Sequence, residues 1–192
     1  MKQKYTLLAL LVLAVLSLTA VAAVAAPRQA PKPDTIRVDV AENGLRFIFD
    51  DAPVFAEDGM PAYGNSFVTE GYLYPPGTLS CNDEGCNGIL DSGEPEFPDL
   101  VIGTWSCRGF FVGDGGHTVT GPMVVTTQMY ELNGDYIVTD GFELADIGLA
   151  AKRAITGGTG PYSQARGEMQ QILLGFNQHM GVALQVELNV AK

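Results

Sequence analysis

Basic residues are scarce in this 192-residue chain: Lys and Arg number 11 against 22 Asp and Glu, for a formal net charge of −11. A nucleic-acid-binding domain needs a basic stripe to displace counterions from phosphates, and docking on anionic lipid needs the same, so both classes are excluded. Charge of either sign is thin, at 17% of residues, while 46% are hydrophobic, a balance unlike that of a disordered chain. Past the first 26 residues no apolar run is long enough to cross a bilayer. Histidine occurs only at His117 and His179, each near a glycine turn, and no nucleophile–base pair is set up by spacing. Helical periodicity is almost absent.

One long apolar run does occur, from Leu7 to Ala25. It follows Lys2 and Lys4 and ends in small residues before Pro27, the pattern of an export signal over 1–26. No cysteine sits near the cleavage point, so a lipoprotein signal is not supported; an uncleaved anchor is the alternative. Residues 27–34 carry three prolines and read as an extended linker, and 35–192 as one domain. A secreted or periplasmic location is expected, with no membrane partner after cleavage. Export puts the three cysteines in an oxidising compartment, where an odd count leaves at least one unpaired. Cys81 and Cys86 share a short polar loop and are the expected disulfide. Cys107 lies in an apolar strand and is the expected free, buried thiol.

What fills the domain is period-two alternation broken by turns. Ile36, Val38 and Val40 alternate with Arg37 and Asp39, and Asn43-Gly44 then suggests a hairpin into Leu45–Phe49. Further strands are expected over 66–74, 100–112, 119–132, 136–144, 152–156, 166–176 and 182–190. Eight or nine antiparallel strands suit a closed barrel or a sandwich, and strands of this length favour the barrel, because closure removes exposed edges. A barrel of about eight strands has room for one small ligand. The segment out of step is 77–98, with five acids, four glycines and two prolines: a loop excursion.

The most distinctive stretch is Ile155–Glu168, I-T-G-G-T-G-P-Y-S-Q-A-R-G-E. It has no Lys-Ser/Thr pair and a strand follows it, so a phosphate loop is excluded. Gly157, Gly158 and Gly160 instead fit a tight strand-turn-strand corner over Tyr162. This pattern resembles the signature turn of the allene oxide cyclase barrel-like and dirigent-like superfamily. Glu70–Pro75 and Gly103–Gly109 are similar to segments of its bacterial secreted members. The resemblance covers about 36–190. It implies an eight-stranded antiparallel barrel with a ligand cavity, assembled as a homotrimer, using neither metal nor organic cofactor. It also implies an apolar small-molecule partner, cyclised by an isomerase of the allene oxide cyclase kind or steered by a dirigent-type guide. The plant cyclases' own cavity motifs are not recognisable here, so no catalytic set is carried over.

Alternation nominates polar cavity residues: Glu70, Arg108, Gln128, Glu143, Arg166 and Glu168. With Trp105 and Phe111 turned outward into a subunit contact, Thr104, Ser106 and Arg108 face the lumen; the opposite parity is equally allowed. Arg166 and Glu168 also fit a plain ion pair at the corner. Tyr72, Tyr74 and Tyr130 fit core or rim aromatics. The acidic loop offers a weak calcium candidate, Asp83, Asn87, Asp91 and Glu94, at positions 1, 5, 9 and 12 of a twelve-residue loop template, with Gly85 failing position 3. Three readings result: a cofactor-free cyclase or guide, a non-catalytic carrier, and a structural barrel filled by side chains.

Overall fold

A computed structural model describes residues 34–191. The expected export signal (1–26) and all of the expected linker except Asp34 lie outside the described residues. The strands are β1 Asp34–Glu42, β2 Ile48–Phe49, β3 Ser66–Tyr74, β4 Cys81–Asn82, β5 Gly85–Cys86, β6 Gly103–Phe111, β7 Pro122–Leu132, β8 Asp135–Leu144, β9 Ala150–Gly158, β10 Arg166–Phe176 and β11 Val182–Ala191. Eight of them run β1-β11-β10-β9-β8-β7-β6-β3, and β3 pairs back with β1, so the antiparallel wall closes into a barrel. β2 adds only a short rung to one end of β3.

Local chemistry explains the elements. Val, Ile, Thr and aromatic residues fill the strands, where branched side chains suit a pleated surface. Asn133 and Gly134 both have positive φ (56° and 87°), the tight turn whose twist matches a β-hairpin, and they join β7 to β8. At the Ile155–Glu168 corner Gly160 has φ +47°, and a Cβ there would sit 2.2 Å from an Asp135 carboxylate oxygen. Tyr162 follows in a 3-10 turn and packs, partly buried, against the barrel core.

The expected β1–β2 hairpin does not form. Asn43 instead caps a 3-10 turn, Gly44–Arg46, by accepting the Leu45 N–H. β1 pairs with β11 and β3, and β2 with β3. An Asx cap competes directly with an Asn-Gly hairpin turn, and here barrel closure decides between them.

The 77–98 excursion packs on the outside of the wall. Leu79, Cys86 and Ile89 cover Ala41, Tyr74 and Ala183 in a second, smaller core. The Cys81–Cys86 disulfide joins β4 to β5. Asp39, buried in the wall, accepts the Leu79 N–H at 2.9 Å, and the Tyr74 hydroxyl donates to Gly88 O at 2.8 Å. Asp39→Ala leaves that N–H without an acceptor, a cost of about 1–3 kcal/mol. The variant should melt lower and be nicked faster by protease within 77–98; unchanged cleavage would refute the anchoring role of Asp39.

Candidate functional site in the barrel interior

Strand parity decides what the lumen contains. In β6 the inward set is Trp105, Cys107 and Phe111, all buried, while Thr104, Ser106 and Arg108 face out. This is the opposite of the parity that would bring Arg108 into the cavity. In β7 Val124, Thr126, Gln128, Tyr130 and Leu132 are buried in strict alternation. β8 contributes Ile137, Thr139 and Glu143, β9 Arg153 and Ile155, β10 Met169, Gln171 and Leu173. β1 adds Val38, Val40 and Glu42, and β3 adds Phe67, Thr69 and Leu73.

The polar members form one connected chain. Tyr130 donates to Gln128 Oε1; Gln128 Nε2 donates to Gln171 Oε1 at 2.9 Å; Gln171 Nε2 donates to Glu143 Oε2 at 2.9 Å. The other Glu143 oxygen accepts from Thr126 Oγ1 at 2.5 Å and from the Cys107 thiol at 3.6 Å. Arg153 supplies the counter-charge, with Nη1 3.7 Å from Glu143 Oε1. Its remaining donors go to Gly141 O (3.0 Å), Thr126 O (2.9 Å) and Thr139 Oγ1 (3.4 Å). Every guanidinium edge is thus used, as a fully buried cation requires.

A second carboxylate, Glu42, sits where β1 leaves the wall. Its Oε2 accepts the Val182 N–H at 2.7 Å, and Thr69 is its neighbour. Burial pushes the Glu42 carboxyl up to about 7; the Thr69 and Val182 donors pull the other way, and the nearby Glu143 charge adds to the rise. Burial likewise pushes the Cys107 thiol well up, helped by Glu143 and Glu42, so it is no nucleophile at neutral pH. The Tyr130 hydroxyl is also raised, by burial first. The Trp105 indole N–H, beside Tyr130, and the Thr69 hydroxyl, beside Glu42, make no well-formed hydrogen bond. Two buried donors therefore sit next to the polar chain. At the end that carries the β10–β11 turn, partly buried Phe47, Met123, Phe176 and Val182 pack against the core as a collar. Phe47 stacks on Phe67, ring centroids 5.1 Å apart.

Of the six residues nominated from alternation, Gln128 and Glu143 lie in this interior and meet through Gln171. The other four point outward. Glu70 pairs with Arg46 at 2.8 Å across an outer cleft of about 490 Å³ that also takes in Tyr72 and Ser106. Arg108 lines a separate outer groove of about 520 Å³. Glu168 pairs with Lys152 at 2.9 Å, and Arg166 donates to the neighbouring Ala165 O. Charged groups in a strand go outward when the in-phase residues of the other face are apolar enough to fill the core. Tyr74 is fully buried, but beneath the excursion, whereas Tyr130 is in the lumen. His117 binds Asp58 at 2.8 Å and stacks on Phe55; His179 lies in the β10–β11 turn. Asp83, Asn87, Asp91 and Glu94 do not converge: among the described residues no three His, Cys, Asp or Glu side chains come together to hold a metal, and Asn87 Oδ1 accepts the Ser80 N–H.

No protein-family model matches the chain, and no curated protein matches it by sequence. Solved structures do match. A pyocyanin demethylase is 18% identical with a TM-score of 0.51, over 82% of this chain and 99% of that one. Two pterocarpan synthase dirigent proteins match at 15% identity and TM-score 0.56, covering 85% of this chain and 99% of theirs, and at 14% and 0.53, covering 81% and 87%. The fold is a dirigent-like barrel. Within that barrel, Glu42, Thr126, Thr139, Arg153 and Gln171 went unnominated by sequence reasoning, although each is in phase with the apolar residues of its strand.

Two outcomes test the interior. Because folding raises the Glu42 pKa from 4.5 to about 7, its contribution to stability is fully present below pH 4.5 and is lost as pH rises through 7. Glu42→Gln should therefore flatten the fall in denaturant midpoint across that window and make the protein relatively more stable at pH 8. Arg153→Leu strands Glu143 and should cost about 3–5 kcal/mol. Adding Glu143→Gln to Arg153→Leu should recover most of that loss in a double-mutant cycle; simple additivity of the two would refute the pairing.

Proposed function

We propose that this barrel receives a small, largely apolar molecule through the Phe47–Phe176 collar and either cyclises or isomerises it without a cofactor or steers its reaction as a dirigent-type guide. The reading is carried by one observation: a buried carboxylate with a pKa near neutrality, Glu42, beside the buried Thr69 hydroxyl and near a charge-balanced Glu143–Arg153 centre. An apolar filling of equal volume is often at least as stable as buried ion pairs, and a general acid or base works best with its pKa near the working pH. In an isomerisation Glu42 would lend a proton to a substrate oxygen and take one back from carbon, so that no proton is consumed. Apolar walls would hold one folded conformer, and the Trp105 and Thr69 donors would turn to meet developing negative charge. The structural neighbours support a small-molecule role by their names, one a demethylase of pyocyanin and two synthases of pterocarpans. Export is supported by the Cys81–Cys86 disulfide, a bond that persists in oxidising compartments.

A second reading, a carrier or a filled structural barrel, draws on a different observation. Both concavities described above open on the outer wall, whereas the interior is packed with side chains.

The chain has a single tryptophan, and it faces the lumen, so its emission reports on occupancy. Titration with pyocyanin and with oleic acid should change Trp105 fluorescence saturably for at least one of them. Thr69→Val should weaken that binding about tenfold, roughly 1.4 kcal/mol, with little change in melting temperature. No response to either probe, together with a native mass showing no bound compound, would sink this reading and leave the filled barrel.

A further inference from the structure

The segments Glu70–Pro75 and Gly103–Gly109 lie side by side in β3 and β6, and the barrel interior uses only their inward residues. The register sets Glu70 opposite Ser106 and Tyr72 opposite Thr104. These four face outward and floor the outer cleft of about 490 Å³. The outward row continues from Thr104 to Glu131 and from Glu131 to Tyr136, whose side chain, 42% exposed, lines the far side of the cleft. A phenol ring thus stands on either side of a floor that carries two hydroxyls. Thr104 Oγ1 donates to Glu131 Oε2 at 3.3 Å.

The remaining wall comes from the 3-10 turn Gly44–Arg46 and from the 92–94 rim of the excursion. Buried Asn43 ties the two together: its Oδ1 accepts the Leu45 N–H at 3.1 Å, and its Nδ2 donates to Gly93 O at 2.8 Å. The Tyr72 hydroxyl donates to the same carbonyl at 3.5 Å. Gly93 has φ +83°, and a Cβ there would lie 2.9 Å from Asn43 Nδ2, so the rim meets the turn because this residue is glycine. The cleft is therefore shaped before any ligand arrives, which keeps the ordering cost of binding low. Within it Arg46 and Glu70, paired at 2.8 Å, set a guanidinium fork beside a carboxylate.

We infer that this cleft binds a neutral saccharide. Each sugar hydroxyl both donates and accepts, and the Arg46–Glu70 pair with the Thr104 and Ser106 hydroxyls offers donors and acceptors side by side. The C–H faces of a pyranose ring are apolar, and Tyr72 and Tyr136 present amphipathic rings to receive them. Other ligand classes fit less well. An anion meets Glu70, Glu94 and Glu131 against the one Arg46, on a chain of net charge −11. A cation finds Glu70 already paired with a guanidinium. An apolar molecule strips water from the floor hydroxyls without replacing its hydrogen bonds. The volume is that of an ordinary ligand cleft. Nothing in this arrangement requires the interior to hold a ligand.

Amide NMR spectra of the isotopically labelled protein, titrated separately with cellobiose, N,N′-diacetylchitobiose and maltose, test it. At least one sugar should shift the Arg46, Glu70, Thr104 and Tyr136 amides saturably, with a Kd of about 1 mM or tighter, and leave those of Gln128 and Gln171 in the lumen unmoved. Tyr136→Ala and Arg46→Leu should each weaken that binding about tenfold at an unchanged melting temperature. Arg108→Leu, in the separate outer groove, and Thr69→Val, in the lumen, should leave it as it is. No saturable shift with any of the three sugars overturns the inference, as does a saturable response of the same amides to choline or oleic acid in place of the sugars. Sugar binding that survives both Tyr136→Ala and Arg46→Leu overturns the assignment to this cleft.

Discussion

Closure of the wall hangs on a short ladder. β1 meets β11 over eight residue pairs but meets β3 over four, from Asp39–Tyr74 to Glu42–Gly71. At the last of these a Cβ on residue 71 would lie 2.4 Å from Ala41 O, so only glycine lets the two strands approach. Once that ladder forms, every strand has a fixed inner face, and the whole interior follows. Beyond Glu42 the first strand departs, and the 3-10 turn with Phe47 fills the space against Phe67 and Phe111. Glu42 therefore stands at a seam. Its carbonyl accepts from Asn177 at 2.7 Å and its carboxylate from Val182, so the group with the neutral-range pKa also pins the β10–β11 turn.

The interior is costly by the standards of a core. Burying Tyr130, Gln128, Gln171, Glu143 and Arg153 together is tolerable only because each polar atom passes its hydrogen bond to the next. An apolar filling of equal volume would often be at least as stable. Arg153 shows how tight the arrangement is: it balances Glu143 while binding carbonyls of β7 and β8, so charge and wall geometry cannot be altered separately. The same logic makes Cys107 inert. Burial, with the charges of Glu143 and Glu42 behind it, keeps the proton on the thiol.

Most of the wall was legible in sequence because alternation of Val, Leu and Ile is a direct image of a two-sided strand. β10 and β11 are read with the bounds they have, to within a residue. Direction of facing was not legible in β3, where Phe67, Leu73 and Tyr72, Tyr74 put apolar residues on both faces; Tyr74 is covered by the excursion rather than by the lumen. In β1 and β9 the signal was present. Glu42 is in phase with Val38 and Val40, and Arg153 with Ile155, so a charged residue in step with the apolar set points inward. Charge drew attention instead to Glu70, Arg108, Arg166 and Glu168, which are outward and solvated for the ordinary reason that ions prefer water. The Asn43-Gly44 hairpin was misread because a cap and a turn use the same residues, and only the distant pairing of β1 with β3 separates them.

The excursion over 77–98 is held by a disulfide within itself, by Asp39 and by a small core of its own on the outside of the wall. Asp39, Ala41 and Tyr74 tie this segment to the closing ladder, whereas the exposed tip around Asp83 belongs neither to the ladder nor to the buried polar chain. The exposed tip around Asp83 and the rim at Asp91 are thus a free coding space: their sequence can drift or be exchanged, and new surface properties can be acquired there, while the barrel behind keeps its shape.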